Sequence, residues 1–275
     1  MDSVSLYPGD CLAADTGISR LGPASVDLLL TDLPYESTRQ KWDTRLDLVK
    51  MWDQLETVVK PNGVFLFFCD LPLGLDLVKL RPDWYRYEYV WVKNKTTGFF
   101  NVNRMPLRGH EFILVFYRET PWYESIKSQG HSPLNYAKRL PNASAQIYGT
   151  DKGAVYGGNT DRHPSSVLCF DVVNNDSPDR IHSNQKPDLL LRHLIRSHCP
   201  PGGRVLDICA GSGATLVAAE GCNREAIGWE GDPENFQRAQ AWLAVKRAQM
   251  ASLLPGLMED ATPGATAPKQ PEFPL

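Results

Sequence analysis

Apolar positions fall into short unbroken runs separated by stretches with helical spacing. Val26-Asp27-Leu28-Leu29-Leu30 and Gly63-Val64-Phe65-Leu66-Phe67-Phe68-Cys69 read as buried strands of a parallel sheet. Residues 86–93 and 110–117 add two further strand patterns, and Val4-Ser5-Leu6-Tyr7 a small β-like piece ending in Pro8-Gly9. Between the first two strands, Leu48, Met51, Trp52, Leu55, Val58 and Val59 recur at a helical period over 46–59, and Pro61-Asn62-Gly63 is expected to stop that helix. Residues 72–81 predict a second helix. The alternation resumes after residue 180 with a helix over 187–198, a strand over 204–209 and a helix over 216–220. A strand over 225–230 and a helix from Pro233 to about Leu254 follow. Strands alternating with helices predict an α/β, doubly wound domain with a mostly parallel sheet.

Composition changes this picture in two places. Over 119–180 Ser, Asn, Gly, Pro and Tyr dominate, which predicts a loop-rich insertion with little core of its own. Residues 255–275 are rich in Pro, Ala and Gly and are expected to be a disordered tail. The expected organisation is therefore 1–118, an insertion over 119–180, 181–254 and the tail. A net charge of −3 gives no global basic signature, so binding to a polyanion would need a local patch. Six cysteines without a CxxC pair argue against a metal site and suit buried thiols in a reducing compartment. With no signal peptide and no apolar run near 18 residues, a soluble cytoplasmic protein without membrane contact is expected.

The chemistry gathers at two strand ends. Thr31-Asp32-Leu33-Pro34-Tyr35 presents a carboxylate, a peptide carbonyl, a fixed φ and an aromatic ring at the sheet edge. A carboxylate beside a carbonyl accepts both hydrogens of one amino group, and Tyr35 can stack on a flat ring. The same residues would also suit a plain strand end with a capping Asp and a packed Tyr. The second site is a Gly211-Ser212-Gly213 turn between strand and helix, followed by a strand ending in Glu230. This is the layout of a nucleotide-type site, with Glu230 placed to accept ribose hydroxyls. Leu216 stands where a dinucleotide motif has its third glycine, and no Gly-Lys-Ser/Thr occurs, so a pyrophosphate cradle is disfavoured. A small nucleoside with a charged amino-acid arm, S-adenosylmethionine, fits better, with a dehydrogenase as the alternative. Asp10 and Cys11 follow another strand end. The polar stretch 36–43 carries Arg39, Lys41 and Trp42. Between Arg81 and Arg118 cations including Lys93, Lys95 and Arg104 interleave with Trp84, Trp91, Phe99 and Phe100, which suits a phosphate backbone or a solvated edge.

Taken together, Asp32-Leu33-Pro34-Tyr35 resembles the Asp-Pro-Pro-Tyr motif of amino-directed DNA methyltransferases. Residues 207–214, Asp-Ile-Cys-Ala-Gly-Ser-Gly-Ala, resemble their cofactor loop. His182 with Gln185-Lys186-Pro187 resembles the segment preceding that loop, and Gly9-Asp10-Cys11 and Trp42-Asp43 also match. The order, catalytic motif first and cofactor motif last, is that of the beta group, and the likeness covers 4–118 and 181–240. It implies a seven-stranded-type Rossmann-like sheet with circularly permuted motifs and S-adenosyl-L-methionine as cofactor. It implies catalysis by Asp32, the Leu33 carbonyl, Pro34 and Tyr35. Asp10, Cys11, Asp32, Lys186, Asp207, Cys209, Ala210, Gly211, Ser212, Gly213 and Glu230 are expected at the cofactor, and Arg39, Lys41, Lys93, Lys95 and Arg104 at DNA. Leu33, Cys209 and Ala214 depart from the family's usual Pro, Phe and Thr or Ser. Asp32 in place of Ser favours adenine N6 over cytosine N4. The substrate implied is double-stranded DNA, read by 119–180, with a homodimer and a companion restriction endonuclease as further partners in the family. RNA or cytosine as acceptor, and a silent DNA-binding relative, are the alternatives.

Overall fold

The computed structural model describes residues 3–34, 46–133, 137–139, 154–174, 176–178 and 180–257. Within these, the chain up to Glu124 and from Ser166 onward forms one compact unit, and residues of 125–165 belong to a second. The first unit begins with β1 (Val4–Pro8), β2 (Val26–Asp32), α1 (Leu48–Val58), β3 (Val59–Cys69), α2 (Leu71–Leu80), β4 (Tyr85–Thr97) and β5 (Arg108–Tyr117). The second unit holds an antiparallel pair, β6 (Ala137–Arg139) and β7 (Ala154–Tyr156). The first unit resumes with β8 (Val167–Cys169), α3 (Asp188–His198), β9 (Arg204–Asp207), α4 (Ala214–Glu220), β10 (Glu225–Glu230) and α5 (Pro233–Leu257).

Eight strands form one sheet in the order β1-β10-β9-β2-β3-β5-β4-β8. All pair parallel except at β5, which runs against both β3 and β4. The doubly wound, mostly parallel sheet expected from the sequence is present, with one strand more than the seven-stranded type. The extra strand is β8, which comes from the stretch read as loops: Val167 pairs with Val90, and Leu168 is fully buried. Three residues are too few for a hydrophobic alternation to stand out from irregular chain.

Unbroken apolar runs arise because both sheet faces are covered, and the side-chain period of two divides each run between them. On one face Leu28, Leu30, Val64, Leu66 and Phe68 meet Leu190 and Leu194 of α3, Leu216 of α4 and Leu243 of α5. On the other, Leu29, Phe65 and Phe67 meet Met51, Trp52 and Leu55 of α1 and Leu77 of α2. Trp52 sits edge-on to Phe67 at 5.2 Å and to Phe116 at 5.3 Å. Each such fully buried side chain stabilises the fold by about 1.5–3 kcal/mol. Asp47 caps α1 by accepting from Val49 N and Lys50 N, and Asp70 caps α2 by accepting from Leu73 N. Pro61-Asn62-Gly63 does not separate α1 from a later strand. It forms an irregularity inside β3, where the register jumps from Val26↔Val59 to Leu28↔Val64. Helix α5 continues to Leu257, and the rest of the expected tail, 258–275, lies outside the described residues.

Connections through α1 and α4 leave the adjacent strands β2 and β9 in opposite directions across the sheet. The carboxyl ends of β2 and β9 therefore bound the crevice where doubly wound sheets bind ligands. Among the described residues no helix is long and apolar enough to cross a membrane.

Candidate active site

The two adjacent strand ends are tied together. Thr31 Oγ1 on β2 donates to Asp207 Oδ1 on β9 at 2.8 Å, and Cys209 N donates to the same oxygen at 3.1 Å. Asp207 is buried, which pushes its carboxyl up to about 6 against the opposing hydrogen bonds from Thr215, Thr31 and Cys209 N. Its charge is thus used to hold the turn that follows. In that turn Gly211 (φ +52°) and Gly213 (φ +76°) adopt left-handed backbone that disfavours other residues. A Cβ on Gly213 would also lie 3.3 Å from Leu243 of α5. Glu230, at the end of β10, accepts from Gly211 N at 2.7 Å and from Asp232 N at 2.8 Å. Its backbone oxygen accepts from Gly9 N at 2.8 Å, which draws in the end of β1. Burial raises the Glu230 carboxyl above its usual range, against those two backbone donors. The thiol of Cys209 is raised by its hydrogen bond to Cys11 and by burial, so Cys209 is not a poised nucleophile.

Around these groups lies a cleft of about 410 Å³. Of the residues expected at a cofactor, Asp10, Cys11, Asp32, Lys186, Asp207, Cys209, Ala210, Gly211, Ser212 and Glu230 all line it. Gly213 is not part of the lining, and its lack of a side chain makes room for Leu243. Leu33 and Pro34 close the end nearest β2. Its lining is acidic: Asp10, Asp32, Asp207, Glu230 and Asp232 stand against Lys186 and His182, and burial lowers the His182 pKa.

A second cleft of about 640 Å³ opens on the other side of Asp32. Asp32, Asn184, Gln185 and Lys186 line both, so they are the shared wall. Here cations outnumber acids, with Lys93, Lys95, Arg108, Arg180 and Lys186 against Asp32, Asp70 and Glu111. At the wall, Lys186 Nζ donates to Asp32 Oδ2 at 2.8 Å and to Glu111 Oε2 at 2.9 Å. The same ammonium lies 4.8 Å from the ring centre of Phe68. Lys93 bonds the other Glu111 oxygen. Burial would raise the Glu111 carboxyl, but Lys186 and Lys93 outweigh it and hold it down to about 2. Burial likewise works against the Lys186 ammonium, and Asp32 and Glu111 overcome it, so that its pKa is raised.

Glu111 is a residue of this wall that no sequence motif marks. The only signal was a lone acid at the head of an apolar strand. Its meaning depends on the β4–β5 register, which sets Trp91 opposite Glu111. Of the residues expected at DNA, Lys93 is turned inward to Glu111 with its side chain only 10% exposed. Lys95 is exposed and donates to Asn174 Oδ1, and Arg104 is exposed on the loop after β4. Tyr35, Arg39 and Lys41, like Trp42, lie outside the described residues.

The switch point of a Rossmann-like sheet thus opens into an acidic nucleoside-sized cleft that shares Asp32, Asn184, Gln185 and Lys186 with a basic cleft, an arrangement suited to two ligands of different charge. A family model described as DNA methylase matches residues 26–241, and the chain belongs to that family. The type II methyltransferase M.BglII from Bacillus subtilis is 28% identical over 229 residues, covering 76% of this chain and 61% of that protein. The type II methyltransferase M.HpaI from Haemophilus parainfluenzae is 24% identical over 248 residues, covering 84% of this chain and 72% of that protein. This chain thus spans less than two thirds of the length of M.BglII. Two solved structures share the fold. One is the M1.HpyAVI–SAM complex, with a TM-score of 0.59 and 20% identity over 87% of this chain and 98% of that one. The other is the PvuII DNA methyltransferase (cytosine-N4-specific), with a TM-score of 0.62 and 15% identity over 87% and 85%.

Proposed function

We propose that the protein moves a methyl group from S-adenosyl-L-methionine to the exocyclic N6 amine of adenine in double-stranded DNA. The observation that carries this reading is the position of Asp32, whose side chain belongs to the wall between an acidic cleft and a basic one. A transfer reaction needs donor and acceptor on opposite sides of one polar group, each in surroundings suited to its charge.

The residues of the acidic cleft fit the cofactor. Glu230 spends one acceptor site of each oxygen on a backbone N–H, and a carboxylate has about four such sites, which leaves two for ribose hydroxyls. Five acids against one lysine suit a cationic ligand and oppose a polyphosphate. Bound there, S-adenosylmethionine supplies an electrophilic methyl on a sulfonium, which an amine takes up with loss of one proton. The chain's own part is to make the amine a better nucleophile. Asp32 and the Leu33 carbonyl would each accept one N–H hydrogen, drawing the nitrogen toward tetrahedral geometry and localising its lone pair. Pro34, lacking an N–H, adds no competing donor. Lys186 Nζ donates to Asp32 Oδ2 and fixes the carboxylate in place as an acceptor for the amine. The base must leave the duplex to reach Asp32, and Tyr35 would stack on it.

The choice of adenine rests on Asp32 in place of Ser. Arg39, Lys41, Lys95 and Arg104 are assigned to the DNA backbone, Lys93 to the carboxylate network, and 119–180 to sequence recognition. The type II designation of both relatives supports a companion restriction endonuclease, and a homodimer accords with the resemblance.

The test is transfer of labelled methyl from S-adenosylmethionine to unmethylated bacterial genomic DNA, followed by nucleoside analysis. Label in N6-methyladenine is expected. Label in N4-methylcytosine would correct the base, and no label from a protein that binds the cofactor would overturn the reading.

A further inference from the structure

Strands β4 and β5 project a loop, residues 98–107, beyond their last ladder pair, Thr97↔Arg108. Gly98, with φ +91°, turns the chain into a single 3-10 turn, Phe99–Asn101, that buries none of its own residues. Phe99 is 75% exposed and Phe100 fully exposed, and Val102 and Met105 beside them are about half exposed. Two adjacent phenyl rings in water at the head of a hairpin are costly unless something covers them.

The chain around the rings indicates what covers them. From Tyr89 to His110 it holds Lys93, Lys95, Arg104 and Arg108 and no acid. Lys95, Arg104 and Arg108 are exposed. The arms of the same hairpin, through Lys95, Thr96, Thr97, Arg108 and His110, line the basic cleft that ends at Asp32 and Glu111. From Glu111 to Arg108 is three residues of strand, about 10 Å, comparable with the depth of a DNA groove. An aromatic tip flanked by exposed cations, at the mouth of a cleft sized for a base, matches stacked bases with a phosphate edge on either side.

We propose that Phe99 and Phe100 enter the duplex beside the target and occupy the stack that the target base vacates, while Lys95 and Arg104 hold the flanking phosphates. This rests on the proposed action on a base drawn out of double-stranded DNA. The tip would then stabilise the opened duplex and have no part in methyl transfer itself.

The experiment compares wild type with the double variant Phe99→Ala/Phe100→Ala on two substrates. One is a matched duplex carrying the site mapped by methylation of genomic DNA. The other has the same sequence with a mismatch at the target, which already weakens stacking. Loss of stacking by the tip should lower kcat/KM on the matched duplex by about ten- to a hundred-fold. The mismatched duplex should lose several-fold less, because its target is already loosened. In a parallel test, Lys95→Ala/Arg104→Ala should weaken both duplexes alike and flatten the salt dependence of binding. Equal losses on the two duplexes with the aromatic variant, or no loss, would overturn the proposal. So would a change of oligomeric state in sedimentation with duplex kinetics intact, which would mean that the rings cover a second copy of the chain. Failure of wild type to methylate any DNA while still binding the cofactor would instead sink the underlying assignment of function.

Discussion

Lys186 Nζ stands 2.8 Å from Asp32 Oδ2, and the same ammonium bonds Glu111 at 2.9 Å. One lysine therefore bridges two carboxylates on different strands at the wall between two clefts, and Lys93 supplies the second positive charge at Glu111. The Lys186 side chain is 11% exposed and those of Asp32 and Glu111 are 23% and 21%, so solvent screens the network weakly. Removing the lysine takes from both carboxylates the ammonium that they share. Lys186→Ala should lower unfolding free energy by about 3–5 kcal/mol. It should also slow methylation, because Asp32 loses the ammonium that holds its carboxylate in place. Adding Glu111→Gln should recover part of both effects. A double-mutant cycle by urea unfolding, with methylation rates beside it, reads this directly, and strict additivity would show that Lys186 and Glu111 are not coupled.

Asp32 itself should matter to turnover and much less to the cofactor. Asp32→Ala removes one of two acceptors for the amine and is expected to reduce kcat by at least ~10²–10³-fold, the scale of losing one preorganised electrostatic contact. Asp32→Asn keeps an acceptor oxygen in place and should fall between. Calorimetric binding of S-adenosylmethionine should change little in either variant. A variant that methylates DNA at near wild-type rate would remove Asp32 from the mechanism.

Two buried carboxyls pull stability in opposite directions with pH. Glu111 is held at about 2, below the ordinary value of 4.5, so its contribution is present above that value and is lost as pH falls through 2. Asp207 is raised to about 6 from 3.8, so the folded state binds the extra proton and stability drops as pH rises from about 4 to 6. Asp207→Asn keeps an acceptor for Thr31 and Cys209 N while removing the charge. Its stability relative to wild type should therefore climb between pH 4 and 6 and level off above. Urea midpoints for the two proteins across that range would expose the difference, and parallel curves would contradict it.

How far the sequence reveals this site follows from where its parts lie. Asp32, Gly211, Gly213 and Glu230 stand at or just past the ends of long apolar runs. In a parallel sheet those ends converge on one edge, so each position could be read from local pattern alone. Strand β10 was legible to the residue for the same reason. The Lys186–Glu111 pair was not, because its partners lie 75 positions apart and meet only through the β4–β5 register. The inward turn of Lys93 was hidden likewise, since a cation in a basic, aromatic stretch looks the same whether it faces phosphate or a buried acid. Strand β8 is three residues long in polar surroundings. Pro61-Asn62-Gly63 carries the chemistry of a turn but is accommodated as an irregularity at the solvent end of β3.

Glu230 joins the cofactor cleft to the loop that shapes it, and its substitution should separate these roles. Both oxygens hold backbone N–H groups, Gly211 N at 2.7 Å and Asp232 N at 2.8 Å. Glu230 lines the cleft, and its remaining acceptor sites would take the ribose hydroxyls. Glu230→Gln can keep one backbone partner but turns an N–H₂ toward the other, which is itself a donor. Glu230→Ala loses both and leaves Gly211 N without its acceptor in a poorly solvated place. Hydrogen bonds to a charged group contribute about 1.5–3 kcal/mol each, so affinity for S-adenosylmethionine should weaken by roughly 10–100-fold in the glutamine variant and further in the alanine one. Affinity for S-adenosylhomocysteine should fall by the same factor, since the two ligands share the ribose and differ at the sulfur. Titration of each variant with both ligands is the check. A loss confined to the sulfonium form would mean that Glu230 acts on the ligand's charge and not on its hydroxyls.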